Sequence, residues 1–460
     1  RLLSGHHNAT VTLFTTPSNR PFIAASLSDA SDVSILELPF PKESVPEIPL
    51  EVESTDKLPS MSLFASFALS TELIKPHFDK ALESLEPKVD FMVTDGFLWW
   101  TLDSAKKYNI PRLVFFGMSS HSSCVTRAVA ETAGFLLWPE DDDEVISLPQ
   151  FSRVMVRVSK RDFDPTFLNN KKPTEKAHME FMMKSVEASG MSSGHVLNTF
   201  YELESEFVDF WNQHYWDGTS GINSGSQKLW CVGPLCMAQF ESSGTSDVPS
   251  WVRWLDERLD QGRPVLYVAF GSQAEVSSDQ IKEIARGLEE SEVDFLWVIR
   301  KEEWQLGFGD GFQERVKDRG LITPDWVDQP RVLAHPSVQG FLSHCGWNSV
   351  LESICGGVPI LAWPMLAEQP LNARAIEDIL KVGLRVDSSN NSVNGFVKGD
   401  VVKEMVKELM VGEKGKEARE RAKFYGEMAR KAMEKGIGSS WKTLDLLIEQ
   451  MCNVSRKEIM

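Results

Sequence analysis

The chain has 460 residues, with 48 Lys and Arg against 66 Asp and Glu and hence a formal charge of −18. A pI of about 5.1 speaks against a nucleic-acid carrier, which needs clustered basic residues to neutralise phosphates. With 42 % apolar and 25 % charged residues the chain can bury a full core, which excludes a disordered, collagen-like or small disulfide-stapled protein, and no apolar run approaches the roughly 18 residues of a membrane span.

Short β-branched runs alternate with amphipathic stretches, the pattern of parallel α/β units. The opening Arg1-Leu2-Leu3 reads as the tail of a helix. Thr10–Thr15 reads as a strand ending at the turn residues Pro17, Ser18 and Asn19, and Val89–Thr94 as another, followed by a helix through Trp99–Tyr108. Pro111–Phe116 and Gly194–Thr199 are two further strands. Phe240–Ser250, rich in Ser and Gly and without periodicity, reads as a linker. Beyond it Pro264–Phe270, Asp294–Ile299, Val338–Leu342 and Val358–Trp363 are near-continuous apolar runs, as expected of strands buried on both faces. Asp387–Asn394 is a polar loop before a charged helical tail, Glu404–Lys435, laced with i,i+4 acid–base pairs. Leu444, Leu446, Leu447 and Ile448 give the last helix an apolar stripe that must dock. The expected fold is α/β, with two Rossmann-like parallel-sheet lobes and a ligand cleft between them. The lobes span residues 1–239 and 251–438, joined by a linker at 240–250, and helix 439–460 packs back on the first lobe.

The six cysteines (Cys124, Cys231, Cys236, Cys345, Cys355, Cys452) form no CxxC pair and no Cys/His zinc spacing, so no metal is expected. Isolated thiols suit a reducing compartment, and a cytoplasmic protein is expected. The sequons at Asn8, Asn390 and Asn453 are what chance gives in a chain of this length.

Chemistry concentrates between Trp326 and Gln369. The run Phe341-Leu342-Ser343-His344-Cys345-Gly346-Trp347-Asn348-Ser349 is a strand passing through a glycine turn into a helix. Such a helix start offers free N–H groups and a positive dipole end to an anion. Gly346 permits close backbone approach, and His344, Asn348 and Ser349 add side-chain donors at the same end. Glu352 follows Asn348 by four residues, about 6 Å along one helix face. A carboxylate one turn below a phosphate site calls for a hydrogen-bond donor, which ribose hydroxyls would supply. Trp326 could stack on a base. Glu368 and Gln369 follow the strand Val358–Trp363, at the end where open α/β sheets bind ligands, and suit a polyhydroxylated group. Taken singly, Ser343-His344 also fits a helix cap, Asn348 and Glu352 a solvated helix face, and Trp326 a core residue.

The 44-residue stretch from Trp326 to Gln369 resembles the donor-binding box of plant family 1 UDP-glycosyltransferases, which have the GT-B fold. The resemblance rests on Trp326, Gln329, His344, Gly346-Trp347-Asn348-Ser349, Glu352, Pro359, Trp363 and Glu368-Gln369. It extends more weakly to Phe270-Gly271-Ser272, to Asn198-Thr199-Phe200-Tyr201-Glu202-Leu203-Glu204 and to Val232-Gly233-Pro234-Leu235. It implies that Trp326 stacks on uracil, that the backbone about Val327 and Gln329 bonds the base, and that Glu352 holds the ribose. By the same resemblance Ser272, His344, Asn348 and Ser349 bind the diphosphate, with Gly346 in the turn, and Trp347, Glu368 and Gln369 bind the sugar. A terminal Gln goes in this family with glucose, so Gln369 favours UDP-glucose as co-substrate, with no prosthetic group. Asp328 stands where the family commonly has Pro.

Asp95 closes the strand Val89–Thr94 and reads either as a helix N-cap or, by the resemblance, as the acid that orients a catalytic His. Family members carry that His in a Gly-His loop after the first strand, and none of the nine His of this chain sits in such a setting. His6 and His7 precede Thr10–Thr15, where the family has the end of its first helix. The expectation is therefore that about 20–30 family residues, including the first strand and the catalytic loop, precede the match, and that the chain as written binds UDP but transfers sugar poorly. Phe97, Leu98, Trp99, Trp100, Phe115, Phe116 and Met118 suggest an aromatic pocket for a small lipophilic or phenolic acceptor, or else core. Gly117 falls where many members place a Thr or Ser on the sugar, so that contact passes to Ser119 or is lost, and His121 could line the cleft. The expected enzyme is a monomeric, inverting glucosyltransferase without nucleic-acid partners. The alternatives are a non-catalytic UDP-sugar-binding protein and an NAD-dependent oxidoreductase. The latter is disfavoured because the nearest glycine string, Gly307-Phe308-Gly309-Asp310-Gly311-Phe312, sits in a polar loop.

Overall fold

The computed structural model describes residues 2–7, 9–27, 32–41, 48–131, 141, 144–163, 173–218, 227–238, 248–309, 311–386 and 395–459. The first lobe carries β1 (Val11–Thr15), β2 (Val33–Glu37), β3 (Met92–Asp95), β4 (Arg112–Phe116), β5 (Ile146–Leu148), β6 (Val156–Val158), β7 (Gly194–Leu197) and β8 (Leu229–Cys231). The second carries β9 (Val265–Ala269), β10 (Asp294–Val298), β11 (Gly320–Thr323), β12 (Val338–Ser343), β13 (Ile360–Ala362) and β14 (Gly383–Arg385). The helices that matter below are α1 (Thr101–Tyr108), α2 (Ser120–Glu131), α3 (Tyr201–Tyr215), α4 (Trp347–Gly356), α5 (Gln369–Arg374), α6 (Gly399–Val411), α7 (Glu413–Ala432) and α8 (Ser439–Ile459).

The second lobe is one six-stranded parallel sheet in the order β11-β10-β9-β12-β13-β14. Every residue of β9 is buried, which is why Pro264–Phe270 reads as a continuous apolar run. The first lobe differs from a single sheet. A parallel pair β1-β2 stands apart from the parallel sheet β3-β4-β7-β8, and β5-β6 is an antiparallel hairpin. The facing residues of β1 and β3 both line one cavity of about 2360 Å³ that continues into the interlobe cleft.

Several elements depart from the sequence expectation in extent. The helix expected from Trp99 begins at Thr101, because Asp95 instead closes a local turn, its carboxylate accepting the Phe97 N–H at 2.8 Å. The expected tail Glu404–Lys435 is two helices, α6 and α7, parted at Gly412, whose backbone is extended (φ −76°, ψ 169°). Of the expected linker, residues 240–247 lie outside the described residues, as do Asn8, Asn390 and the loop 387–394, and Ser250 already opens a helix, Ser250–Asp260. Along α8, Leu444, Leu447 and Met451 pack on Leu113, Val196, Trp230 and Val232 of the first lobe, whereas Leu446 faces solvent. Each such buried side chain contributes about 1.5–3 kcal/mol.

The lobes meet through polar contacts. Asn198 Nδ2 donates to Asn348 Oδ1 (3.0 Å), Ser119 Oγ to Asn372 Oδ1 (2.9 Å), and Gln273 Nε2 to Thr55 Oγ1 (2.9 Å). The fully buried Asp162 takes Arg374 Nε at 2.5 Å, with Arg385 Nη1 at 3.6 Å.

Candidate functional site

The site begins where β12 ends. Ser343 Oγ accepts the Cys345 N–H (3.1 Å), Cys345 takes a left-handed backbone (φ 67°), and Asn372 Nδ2 donates to the Cys345 carbonyl (3.0 Å). This turn aims the start of α4 at the cavity, and no side chain caps that start, so its first N–H groups face the cavity free for an anion. The His344 ring fills the space between Gly271 and Gly346. A Cβ on either would lie 2.8 or 2.6 Å from His344 Nε2, and Gly271 also has φ +74°. Burial lowers the His344 pKa to about 4, so at neutral pH the ring is uncharged, and its buried Nδ1 has no hydrogen-bond partner among the described residues.

One turn along α4, Gln329 Nε2 donates to Glu352 Oε2 (2.6 Å) and to Ser349 Oγ (2.9 Å), while Tyr267 OH donates to Gln329 Oε1 (3.2 Å). Burial raises the Glu352 pKa; the Gln329 hydrogen bond opposes this, and the nearby Asp328 adds to it. Asp328, the departure from the family pattern, caps the short helix Gln329–Leu333 by accepting the Arg331 N–H at 3.3 Å. Trp326 is 84 % exposed, its face bare, while Val327 beside it is buried.

Ser272, His344, Gly346, Trp347, Asn348, Ser349, Glu368 and Gln369 all line the cavity, whereas Trp326, Val327, Gln329 and Glu352 stand beyond its wall. The Trp347 indole is buried and donates to the Asn198 carbonyl (2.9 Å), so only its backbone N–H remains for a sugar or phosphate. Gln369 Oε1 accepts the Met365 and Leu366 N–H groups (2.9 and 3.0 Å), which leaves its amide NH₂ as the ligand-directed group. Burial raises the Glu368 pKa, against its hydrogen bonds from its own backbone N–H and from Asn372.

On the first lobe, Asp95 opens onto the cavity. Crowding by protein raises its pKa, opposed by the Phe97 N–H and by the Arg112 guanidinium. Phe97 and Met118 line the same cavity, but Trp99, Ser119 and His121 do not. Trp99 lies under Lys184, whose Nζ sits 4.4 Å from the ring centroid. Ser119 is fully buried on Asn372 and so bridges the lobes rather than facing a sugar. His121 packs edge-on against Phe207 (4.8 Å between centroids), and burial takes its pKa to about 3, which makes it a neutral core residue. His6 lies within the helix Leu2–His7, and its side chain falls outside the described residues, as does that of His7.

Sequence reasoning assigned no role to Asn198, Tyr267 or Glu204. Asn198 grips both Asn348 and, through Oδ1, the Leu235 N–H at 2.8 Å. Glu204 accepts the Ser120 and His121 N–H groups (3.1 and 2.7 Å) at the start of α2, which fixes the cleft-side turn before it. Both lie in the run Asn198–Glu204, whose density of polar residues between apolar ones was the available signal.

A family profile described as "UDP-glucoronosyl and UDP-glucosyl transferase" matches residues 258–413. The chain is 49 % identical to UDP-glycosyltransferase 90A1 of Arabidopsis thaliana over 98 % of its own length and 92 % of the relative's. Among solved structures it resembles Phytolacca americana UGT2 complexed with UDP-2fluoro-glucose and pterostilbene (TM-score 0.77, 28 % identity, 98 % and 94 % of the two chains). It also resembles Medicago truncatula UGT71G1 complexed with UDP-glucose (TM-score 0.77, 26 % identity, 98 % and 94 %).

Proposed function

The chain belongs to the plant family 1 UDP-glycosyltransferases, enzymes of the GT-B fold, and from that premise we propose that it moves glucose from UDP-glucose to a hydroxyl of a small lipophilic or phenolic acceptor, with inversion. The observation that carries this reading is the uncapped start of α4 opening on the same cavity as Asp95, with the Gln329–Glu352 pair one turn below. The α4 N–H groups, with Ser272, Asn348 and Ser349, hold the diphosphate. Glu352 accepts from the ribose, and Trp326 covers the uracil. Glu368 and the free Gln369 amide bond the sugar hydroxyls. By the resemblance Asp95, beside Phe97 and Met118, orients the catalytic His that takes the acceptor's proton as its oxygen attacks the anomeric carbon in line, and none of the nine His of this chain stands in that loop. The charge that develops on departing UDP falls on the α4 N–H groups, so the donors that bind it also stabilise the transition state. The relative bound to UDP-glucose and the one bound to pterostilbene support both halves of this reading. The six cysteines, none in a disulfide, suit a cytosolic setting, and a monomer is proposed.

The test is turnover of UDP-glucose with a panel of phenols, product being detected as acceptor plus one hexose by mass spectrometry. Asp95→Asn should abolish product while UDP affinity stays within about twofold. Thermal stabilisation by NAD and not by UDP or UDP-glucose would overturn the reading. The binding-only alternative is separated by running the same panel with the catalytic loop restored: UDP binding without transfer to any phenol in that protein would favour it.

A further inference from the structure

Two of the six cysteines are not isolated. Cys236 Sγ lies 3.7 Å from Cys355 Sγ, although the residues are 119 apart in sequence. Cys236 sits in a short turn, Leu235–Met237, just after β8, where the chain leaves the first lobe, and Asn198 holds that turn through the Leu235 N–H. Cys355 sits in the last turn of α4, the helix whose first turn faces the cavity, three residues beyond Glu352. Both side chains are partly open to solvent, whereas Cys124, Cys231 and Cys345 are buried. A disulfide needs the two sulfurs at about 2.05 Å, so a gap of about 1.7 Å must close between them.

We propose that Cys236 and Cys355 are a reversible disulfide-forming pair that staples the end of the first lobe to the donor-side helix of the second. The reaction is thiol–disulfide exchange with a small-molecule disulfide such as oxidised glutathione. One cysteine thiolate attacks a sulfur of the oxidant, giving a mixed disulfide and releasing the first reduced thiol. The second cysteine, as thiolate, then attacks the protein sulfur of that mixed disulfide and expels the second reduced thiol. Two electrons pass from the protein thiols to the oxidant, and the two protons are carried by the two thiols released. The contact with Cys236, then burial and the charges of Cys236 and Glu352, raise the Cys355 thiol pKa, opposed by Arg430. The proposal rests on no particular ligand and stands or falls independently of the glucosyl-transfer reading.

The native full chain is incubated with oxidised glutathione, free thiols are blocked, and the protein is analysed by intact mass and peptide mapping. The expected result is loss of two of six thiols, one linked peptide pair containing Cys236 and Cys355, and full reversal by a reducing agent. In urea the same treatment should give mixed pairings, because the proximity belongs to the fold. The oxidised native protein should melt roughly 5 °C higher, as expected of a long closed loop, and Cys236→Ser and Cys355→Ser should both remove that rise. Six thiols remaining, a link to any other cysteine, or a bond that forms without raising the midpoint would each overturn the proposal. If Cys355→Ser fails to fold, Cys236→Ser alone supplies the control.

Discussion

Glu352→Gln gives the sharpest test of the donor assignment. In the structure the Glu352 carboxylate accepts one hydrogen bond, from Gln329 at 2.6 Å, and burial already raises its pKa. A carboxylate bonded to two ribose hydroxyls contributes about 1.5–3 kcal/mol for each charge-assisted bond. Gln keeps one oxygen as acceptor, so about one such bond is lost, and the UDP Kd should rise roughly 10- to 150-fold at 1.36 kcal/mol per decade. Inorganic pyrophosphate carries no ribose, and its affinity should stay within about twofold. The free protein should keep its melting temperature, because the substitution removes a half-buried charge and Gln can still pair with Gln329. Calorimetric titration of parent and variant with both ligands decides the matter. A UDP Kd unchanged within twofold, or an equal loss for pyrophosphate, refutes the ribose role.

Trp326→Ala should leave the melting temperature unchanged, since the side chain is 84 % exposed. It should weaken UDP roughly 5- to 150-fold if the ring stacks on the base, a contact worth about 1–3 kcal/mol, and tryptophan fluorescence quenched by UDP in the parent should be quenched less in the variant. Glu204 predicts a pH profile. Burial, opposed by the Thr199 hydroxyl and the His121 and Ser120 N–H groups, pushes its pKa from 4.5 up to about 7. A pKa raised in the fold means a contribution fully present below about 4.5 and lost as pH rises to about 7, on the order of 3 kcal/mol. Glu204→Gln should flatten that part of the stability curve, as read by calorimetry, while lowering the midpoint at acid pH because its amide can accept only one of the Ser120 and His121 N–H groups, whereas parallel curves would show that the group does not titrate there.

What the sequence made legible follows from locality. β9, at the centre of the second lobe, is buried along its whole length because both faces are covered, and the helix after Gly346 can be read from a single stretch of chain. The rest depends on pairings that no local pattern encodes. β2, Val33-Ser34-Ile35-Leu36-Glu37, neither runs apolar throughout nor alternates, and none of its residues is buried, while β14 is three residues long. The separation of β1-β2 from the larger sheet depends on which distant segments pair, and neither segment alone records that. Trp347 was assigned to a ligand because of its place in the motif, yet its indole reaches across to Asn198, 149 residues away. Asp162 with Arg374, and Cys236 with Cys355, are likewise contacts between lobes that carry no mark in either segment alone.

The charge of −18 bears on how such a protein can hold an anion at all. None of the residues proposed for the donor is Lys or Arg, and burial leaves His344 neutral, so the diphosphate depends on N–H dipoles at the start of α4 and on uncharged side chains. Such donors act over one or two bond lengths and lie inside the cleft, where mobile ions screen them little. The net charge of −18 instead repels UDP over distances comparable with the Debye length, about 8 Å at 0.15 M salt, and that repulsion is what salt removes. UDP affinity measured between 0.05 and 0.5 M salt should therefore stay level or improve with salt. A steep loss of affinity would mean that cationic side chains carry the phosphates, and the assignment to the α4 N–H groups would fail.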